Sequence, residues 1–430
     1  MRIAIVGSGI AGNVAAYHLS REHDITVFEA GGHVGGHTHT HDIEQGGRRY
    51  AVDTGFIVFN SWTYPNFIAL LNQLGVASQS SAMSFSVSDE GSGIEYNGTS
   101  LNTLFAQRSN LFRPAFWRML RDIARFNRGA PALLGEEGDL LSLGEYLDRN
   151  RYSREFVDRY VIPMGAAIWS TDPQSMRSFP ARFFVRFFHN HGMLSVNQRP
   201  QWRVIRGGSA RYVEKLTAPF RDRIRLNTPV QSIRRIAGGA MVKSAGCEAE
   251  RFDAVFLACH SNQALAMLAD ASAPEREVLG AIPYQENEAV LHTDIRMLPR
   301  RRLAWAAWNY HVPDGRHKVD NNQKVALTYH MGILQSLDSA EPFLVTLNRS
   351  QDIDPAKVIR TIRYEHPLFT PTAVAAQARQ TEINGPLSTY FCGAYWRNGF
   401  HEDGVVSALS ALKHFSERRG HAQRTLHRAA

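Results

Sequence analysis

At 430 residues the chain is long enough for two or three compact units, and its 44% apolar and 20% charged residues are those of a soluble globular protein. No run of 18 apolar residues offers a membrane span. A net charge of +8 and a pI near 9.5 raise nucleic acid or anionic lipid as partners. The sequence has no zinc-finger spacing, aromatic RNA-binding pattern or lysine-rich arm, which excludes nucleic acid. Cys247, Cys259 and Cys392 form no C-x-x-C pair and no framework, so disulfides are not expected and a reducing cytoplasm is.

The first predicted strand, Ile3 to Val6, meets Gly7-Ser8-Gly9-Ile10-Ala11-Gly12. An apolar-periodic helix runs on to Leu19, and a second β-branched run, Ile25 to Phe28, ends on Glu29 and Ala30. Gly7 permits a tight turn, Gly9 lets the backbone approach a pyrophosphate, and Gly12 lets helix and strand pack closely. The helix N-terminus offers free N–H groups and a positive dipole end to the phosphates. Glu29, about 20 residues on, is placed to hydrogen-bond a ribose hydroxyl. The three glycines belong to this dinucleotide fingerprint, so the apolar start is not read as an export leader.

Beyond Glu29 the chain reads Gly35-Gly36-His37-Thr38 and then Asp53-Thr54-Gly55-Phe56 after a strand-like run. An acid, a Gly-Gly doublet and an Asp-x-Gly in this order resemble the flavin amine oxidase, protoporphyrinogen oxidase and phytoene desaturase superfamily. That resemblance implies FAD rather than NAD, with Gly35 and Gly36 adding backbone contacts to the pyrophosphate. It also implies an α/β fold, a Rossmann-like FAD-binding domain with an interleaved α+β substrate domain. The family's usual arginine after the doublet is His37 here, which puts that contact in question. His37, His39 and His41 alternate and could share one face of a strand, but no Cys or carboxylate cluster completes a shell, and no metal is expected.

From 61 to 199 the pattern turns helical and rich in arginine and aromatics. Phe116, Met119, Leu120, Ile123 and Phe126 recur at helical spacing, with Arg118, Arg121, Arg125 and Arg128 mostly opposite. Such a helix either rests peripherally on an anionic membrane or keeps its arginines in water over a buried apolar side. Arg182 to Leu194 supplies a dense aromatic run suited to a substrate-domain core or an apolar ligand.

Trp202 to Ser209 resembles the turn where the family's chain re-enters the FAD domain, and Val230 stands where relatives hold the adenine through backbone. Gly238-Gly239 and Gly246 punctuate a predicted hairpin, and Phe252 to Cys259 reads as a buried parallel strand. Residues 261–384 mix helix and strand signals and complete the substrate domain. A strand ending at Gly393 and a helix opening at Asp403-Gly404-Val405, with Asp403 as N-cap, resemble the family's closing motif, whose helix N-terminus points at flavin N1 and O2. The FAD domain is thus expected from 1–60, 200–260 and 385–417, and 418–430 is expected to be a mobile tail.

Phe400 falls near one of the two aromatics that amine oxidases of the superfamily place before the flavin; its partner is not legible. The Gly-Gly-Cys context of covalent flavin attachment is lacking, which implies non-covalent FAD. The Gly-Gly-His-Thr-His-Thr run is more like a bacterial subgroup associated with cyclopropane-fatty-acid synthases, which implies oxidation or desaturation of an unsaturated lipid acyl chain. Amine oxidation, isoprenoid or ring oxidation, and FAD binding without turnover stay open. His260 and His401 are candidates for a base. Oligomeric state is not legible.

Overall fold

The computed structural model describes residues 1–135, 141–195, 197, 199–313 and 324–429, with the backbone alone from 419 on. A five-stranded parallel sheet forms one centre, in the order Ile224–Arg225, Asp24–Phe28, Arg2–Val6, Ala254–Leu257, Thr389–Phe391. The strands Arg2–Val6 and Ala254–Leu257 pair in register from Ile3 with Ala254 to Val6 with Leu257. Ile3, Ile5, Val255 and Leu257 are all fully buried, as near-continuous apolar strands of a parallel sheet must be when both faces are covered. The buried parallel strand expected over Phe252 to Cys259 is confined to Ala254–Leu257; Phe252 instead closes an antiparallel strand, Glu250–Phe252, and Cys259 is half-buried beyond the strand's end.

The first helix, Ile10–Leu19, follows the first strand directly and packs against the closing helix, His401–Ala429. The predicted hairpin is a three-stranded antiparallel meander, Val230–Ile236, Gly239–Ser244 and Glu250–Phe252.

The second centre is a seven-stranded sheet of five strands from the 261–384 region and two from the insertion, Phe85–Asp89 and Ile94–Asn97. The sequence reading treats that insertion as helical. Phe85-Ser-Val-Ser-Asp alternates apolar and polar residues, and the turn before Ile94 sends the chain back antiparallel, so the segment completes the sheet. The rest of the insertion is helical, including Pro114–Gly129, Ile162–Trp169 and Ala181–Asn190. Phe126, Phe156, Phe184 and Phe188 are buried together there, so the aromatic run 182–194 is largely core.

Two further expectations are corrected. The closing helix opens at His401 rather than at Asp403, and Asp403 is its third residue: its Oδ2 accepts the N–H groups of Phe400 (2.9 Å) and Asn398 (3.2 Å). This is the reciprocal arm of a capping box, not an N-cap. The helix also carries on through 418–429, where a tail without helical pattern is expected.

The arginine side of Pro114–Gly129 is only partly free. Arg118 pairs with Glu155, and Arg125 pairs with the buried Asp122 at 2.7 Å while its guanidinium lies over the Tyr152 ring.

Candidate active site

The two sheets enclose one cavity of about 1520 Å³, larger than the roughly 300–1,000 Å³ of a single-ligand pocket. It has room for a dinucleotide and a second molecule together.

At the nucleotide end, Gly9 caps the first helix with an extended backbone and no side-chain cap bond, leaving the first-turn N–H groups to face the cavity. A Cβ at Gly9 would meet no atom within 4 Å, so the backbone here is bare toward the cavity. Gly12 is the opposite case: a Cβ there would lie 1.9 Å from the Gly7 carbonyl oxygen. Helix and turn are in contact because no side chain separates them.

The Gly35-Gly36 doublet folds onto this turn, with the Gly35 N–H donating to the Ser8 carbonyl at 3.0 Å. Ser8, fully buried, donates from its N–H (2.9 Å) and Oγ (2.5 Å) to Glu29 Oε2, and the Gly31 N–H donates to Oε1 (2.8 Å). The carboxylate is thereby fixed in orientation at the cavity wall.

Of the residues predicted to hold the cofactor, Gly7, Ser8, Gly9, Ile10, Ala11, Glu29 and Ala30 line the cavity, as do Gly35, Gly36, His37, Gly55, Phe56, Val230 and Gly393. Gly12, Thr38, Gly404 and Val405 do not; they stand behind the wall. Gly404 admits Ile10, whose Cγ2 would be 2.6 Å from a Cβ there, and Val405 is a core side chain. Thr38 Oγ1 hydrogen-bonds the Tyr212 hydroxyl (2.6 Å) and His401 Nε2 (3.1 Å).

Bare helix N–H groups, an open Gly9 and a fixed acid fit the pyrophosphate and ribose of FAD. When bound, that group supplies hydride acceptance from a C–H bond.

His37 does not replace the arginine as a charge. Its ring packs on Tyr364 (5.0 Å), His366 (5.4 Å) and His260 (5.9 Å), and burial, with the neighbouring His260, lowers its pKa to about 4. Phosphate charge is left to backbone N–H groups and the first helix's dipole. His39 instead contacts the His33 and His41 rings, so the three alternating histidines do not share one face.

His401, the opening residue of the closing helix, stacks on Phe56 at 3.5 Å and bonds the Tyr212 hydroxyl through Nε2 (2.7 Å). With Nε2 so engaged, the ring fixes the start of the closing helix in the cavity wall. Glu402 beside it accepts the N–H groups of Asn66 (3.1 Å) and Phe67 (2.8 Å), satisfying the N-terminus of the Pro65–Gln73 helix. The closing helix thus meets the cavity at Phe400 and His401, with both of its first-turn acids already committed.

His260 lies in the cavity wall. Its Nδ1 stands 3.1 Å from Glu365 Oε2, its ring stacks on Tyr284 at 4.7 Å, and burial lowers its pKa to about 4, so it is neutral near pH 7. Phe400 lines the cavity and stacks on Phe187 at 5.0 Å. Cys259 also lines it, but burial pushes its thiol up to about 12, so it carries no thiolate to attack the flavin ring. Sequence reasoning missed Tyr212, Tyr364, Glu365 and His366. The alternation in Arg-Thr-Ile-Arg-Tyr-Glu-His marks the strand of the last three, yet nothing local says which face meets the cavity, and Tyr212 sits on a separate helix, Ala210–Thr217.

The bare N-terminus of the first helix and a held acid on one cavity define a nucleotide site, and His401 brings the start of the closing helix to the same wall. The family of "Flavin containing amine oxidoreductase" matches residues 10–293, well over half of the chain. The chain belongs to that family and is an FAD-dependent oxidoreductase.

No curated protein sequence gives a significant match. Among solved structures the chain is similar to cyclohexylamine oxidase from Brevibacterium oxydans, with TM-score 0.70, 15% identity, and coverage of 97% of this chain and 99% of that one. It is similar to putrescine oxidase bound to putrescine (0.66, 15%, 97% and 99%). It is also similar to a CLA-producing fatty acid isomerase from P. acnes (0.68, 17%, 96% and 98%). At these identities the likeness establishes the fold. No helix among the described residues is long and apolar enough to cross a membrane.

Proposed function

We propose that the protein oxidises an unsaturated lipid acyl chain at an allylic carbon. The observation that carries this reading is the cavity's extension into the helical insertion, where Leu104, Leu120, Ile123, Met164 and Ile168 form an apolar arm continuous with the flavin site. An elongated hydrocarbon fills such an arm, and each buried CH₂ contributes about 0.8 kcal/mol. A plain methylene is a poor hydride donor, whereas an allylic C–H is activated by its neighbouring double bond. Loss of hydride from that carbon and of a proton from an adjacent one adds a double bond, and the two electrons pass to an acceptor such as dioxygen.

The residues in place serve this reaction in distinct ways. Phe400 and Phe187 stack and keep water from the reacting region, and Trp308, Tyr329 and Tyr364 line the cavity's sheet side. His260, oriented by Glu365, is the neutral imidazole open to the cavity that receives the proton. The fold's likeness to a fatty acid isomerase supports room for a fatty acid. Amine oxidation is the second reading, favoured by Glu286 and Glu365 on the cavity wall, which could pair with an ammonium group.

Filling the arm separates the two. Ile123→Trp is expected to keep its flavin and to lose on the order of 100-fold in kcat/KM for a long unsaturated chain, since about four excluded methylenes cost about 3 kcal/mol. A short substrate should be little affected. Equal kcat/KM for long chains in parent and variant would reject the arm as the acyl site.

A further inference from the structure

The outer surface of the insertion carries an apolar patch that neither the cofactor site nor the fold accounts for. Phe112 is 86% exposed, Leu101 77%, Trp117 50% and Leu111 42%, all within 17 residues of chain. Soluble proteins scatter single exposed apolar side chains, but a contiguous group of large ones marks a contact surface.

The patch is pre-formed. The Trp117 indole N–H donates to the Leu111 carbonyl at 2.9 Å, tying the helix Pro114–Gly129 to the turn Arg108–Phe112 before it. Its surroundings are cationic: residues 96–121 include Arg108, Arg113, Arg118 and Arg121 and no aspartate or glutamate. Leu111, Phe112, Pro114, Trp117, Arg118 and Arg121 together line a shallow cleft of about 470 Å³. Arg121, 64% exposed, lies 3.5 Å from Asp122, and Arg118 holds Glu155, so the cleft combines apolar walls with two guanidiniums that each share an acid and keep an exposed side.

The patch also borders the cavity. Leu101 and Leu104 are three residues apart on one short helix, as are Trp117 and Leu120 on the next, and residues so spaced are neighbours on a helix surface. In each pair the first is exposed and the second lines the apolar arm.

We infer that Leu101, Leu111, Phe112 and Trp117 insert into the headgroup layer of an anionic membrane, with Arg113, Arg118 and Arg121 facing the lipid phosphates, so that an acyl chain passes from the bilayer into the arm. Charge selects this occupant: a basic rim around aromatic and leucine side chains matches an anionic interface, where cations bind phosphate and Trp and Phe settle at the acyl boundary. The inference rests on the acyl-lipid reading for what enters the arm, but not for the docking itself.

The test is co-sedimentation of the flavin-loaded protein with vesicles of phosphatidylcholine alone or mixed with phosphatidylglycerol. Binding is expected only with phosphatidylglycerol and should weaken as salt rises. Phe112→Asp is expected to weaken partitioning at least tenfold. So is the pair Arg113→Gln and Arg121→Gln, and both should keep parent flavin content because Phe112 and Arg121 are exposed and the half-buried Arg113 gives up only a long 3.5 Å bond to the Ser92 carbonyl. Turnover of vesicle phospholipid should fall in parallel in Phe112→Asp, while turnover of a detergent-dispersed unsaturated fatty acid stays at the parent level. Failure of the parent protein to sediment with phosphatidylglycerol, or equal partitioning of parent and Phe112→Asp, overturns the inference. A dimer that Phe112→Asp converts to monomer, with vesicle binding unchanged, overturns it in favour of a contact between copies. Phe112-dependent vesicle binding without turnover of any acyl lipid upholds the docking surface and sinks the acyl-oxidation reading alone.

Discussion

A Gly9→Val variant is expected to fold and yet to bind flavin on the order of 100-fold more weakly than the parent chain, a loss of about 3 kcal/mol. Gly9 has φ −68° and ψ −178°, backbone open to any L-residue, so valine brings no conformational strain. Its Cβ meets no protein atom within 4 Å, so the fold has nothing to yield. The space it takes is where the backbone must approach the pyrophosphate. Gly12→Val is the control with the reverse outcome. There the Cβ collides with the Gly7 carbonyl at 1.9 Å and stands 3.2 Å from Ala258 Cβ, which forces the first helix off the sheet. Overpacking of this kind costs about 3 kcal/mol or more, a large share of an ordinary domain's stability. Circular dichroism melts with flavin titrations distinguish the two. Parent affinity in Gly9→Val would mean that the pyrophosphate lies elsewhere.

Acidification is expected to unfold the protein between about pH 6 and pH 4, with a steeper slope than carboxylates alone would give. His191 and His292 are buried and lowered to about 4, His311 to about 3, and His401 is held well below the usual value, in each case chiefly by burial. His292 shows the geometry behind this: its Nδ1 accepts the Asp294 N–H at 3.0 Å, a bond that a proton on Nδ1 would break. For such groups the unfolded chain takes up a proton near pH 6.5 and the folded one does not. Their stabilisation is complete above that pH and is lost as pH falls from about 6.5 toward 4.

Asp53 and Asp403 act in the opposite sense. Burial raises both to about 6, so the folded state gains relative stability as pH drops from 6 to 4. Each group contributes at most about 1.4 kcal/mol per pH unit, so four histidines against two acids leave about 3 kcal/mol per unit in favour of unfolding. Urea melts at stepped pH check this. A midpoint urea concentration unchanged between about pH 6.5 and 4.5 would contradict it. His37, His260 and His366 are partly open to the cavity, so a ligand that displaces water there should add to the effect.

What could be read ahead of the structure follows from how local each constraint is. Gly9 and Gly12 were legible because a strand, a tight turn and a helix in immediate succession leave no other use for two bare backbones. Ala254–Leu257 was legible because a strand covered on both faces carries no polar residue. His37 was visible as a departure, but its neutrality comes from burial, with Tyr364 packed on its ring, and from the neighbouring His260, both more than 200 residues away in the chain. Asp403 was placed at the helix cap by the ordinary preference of aspartate for that position; the positive φ of Gly399 turns the chain early and lets the carboxylate reach back instead. The amphipathicity of Pro114–Gly129 was plain. That Glu155 takes up one of its arginines depends on the packing of a later helix. Leu101 and Phe112 read as ordinary apolar residues, and their exposure follows only from the fold around them.

The most direct measurement is anaerobic mixing of the flavin-loaded protein with unsaturated phospholipid or fatty acid, and separately with amines, while following the flavin's visible absorption band. Bleaching by the unsaturated acyl lipids, recovery of the band on admitting dioxygen, and no response to amines are expected. Bleaching by amines alone, or by neither class, would contradict acyl-lipid oxidation.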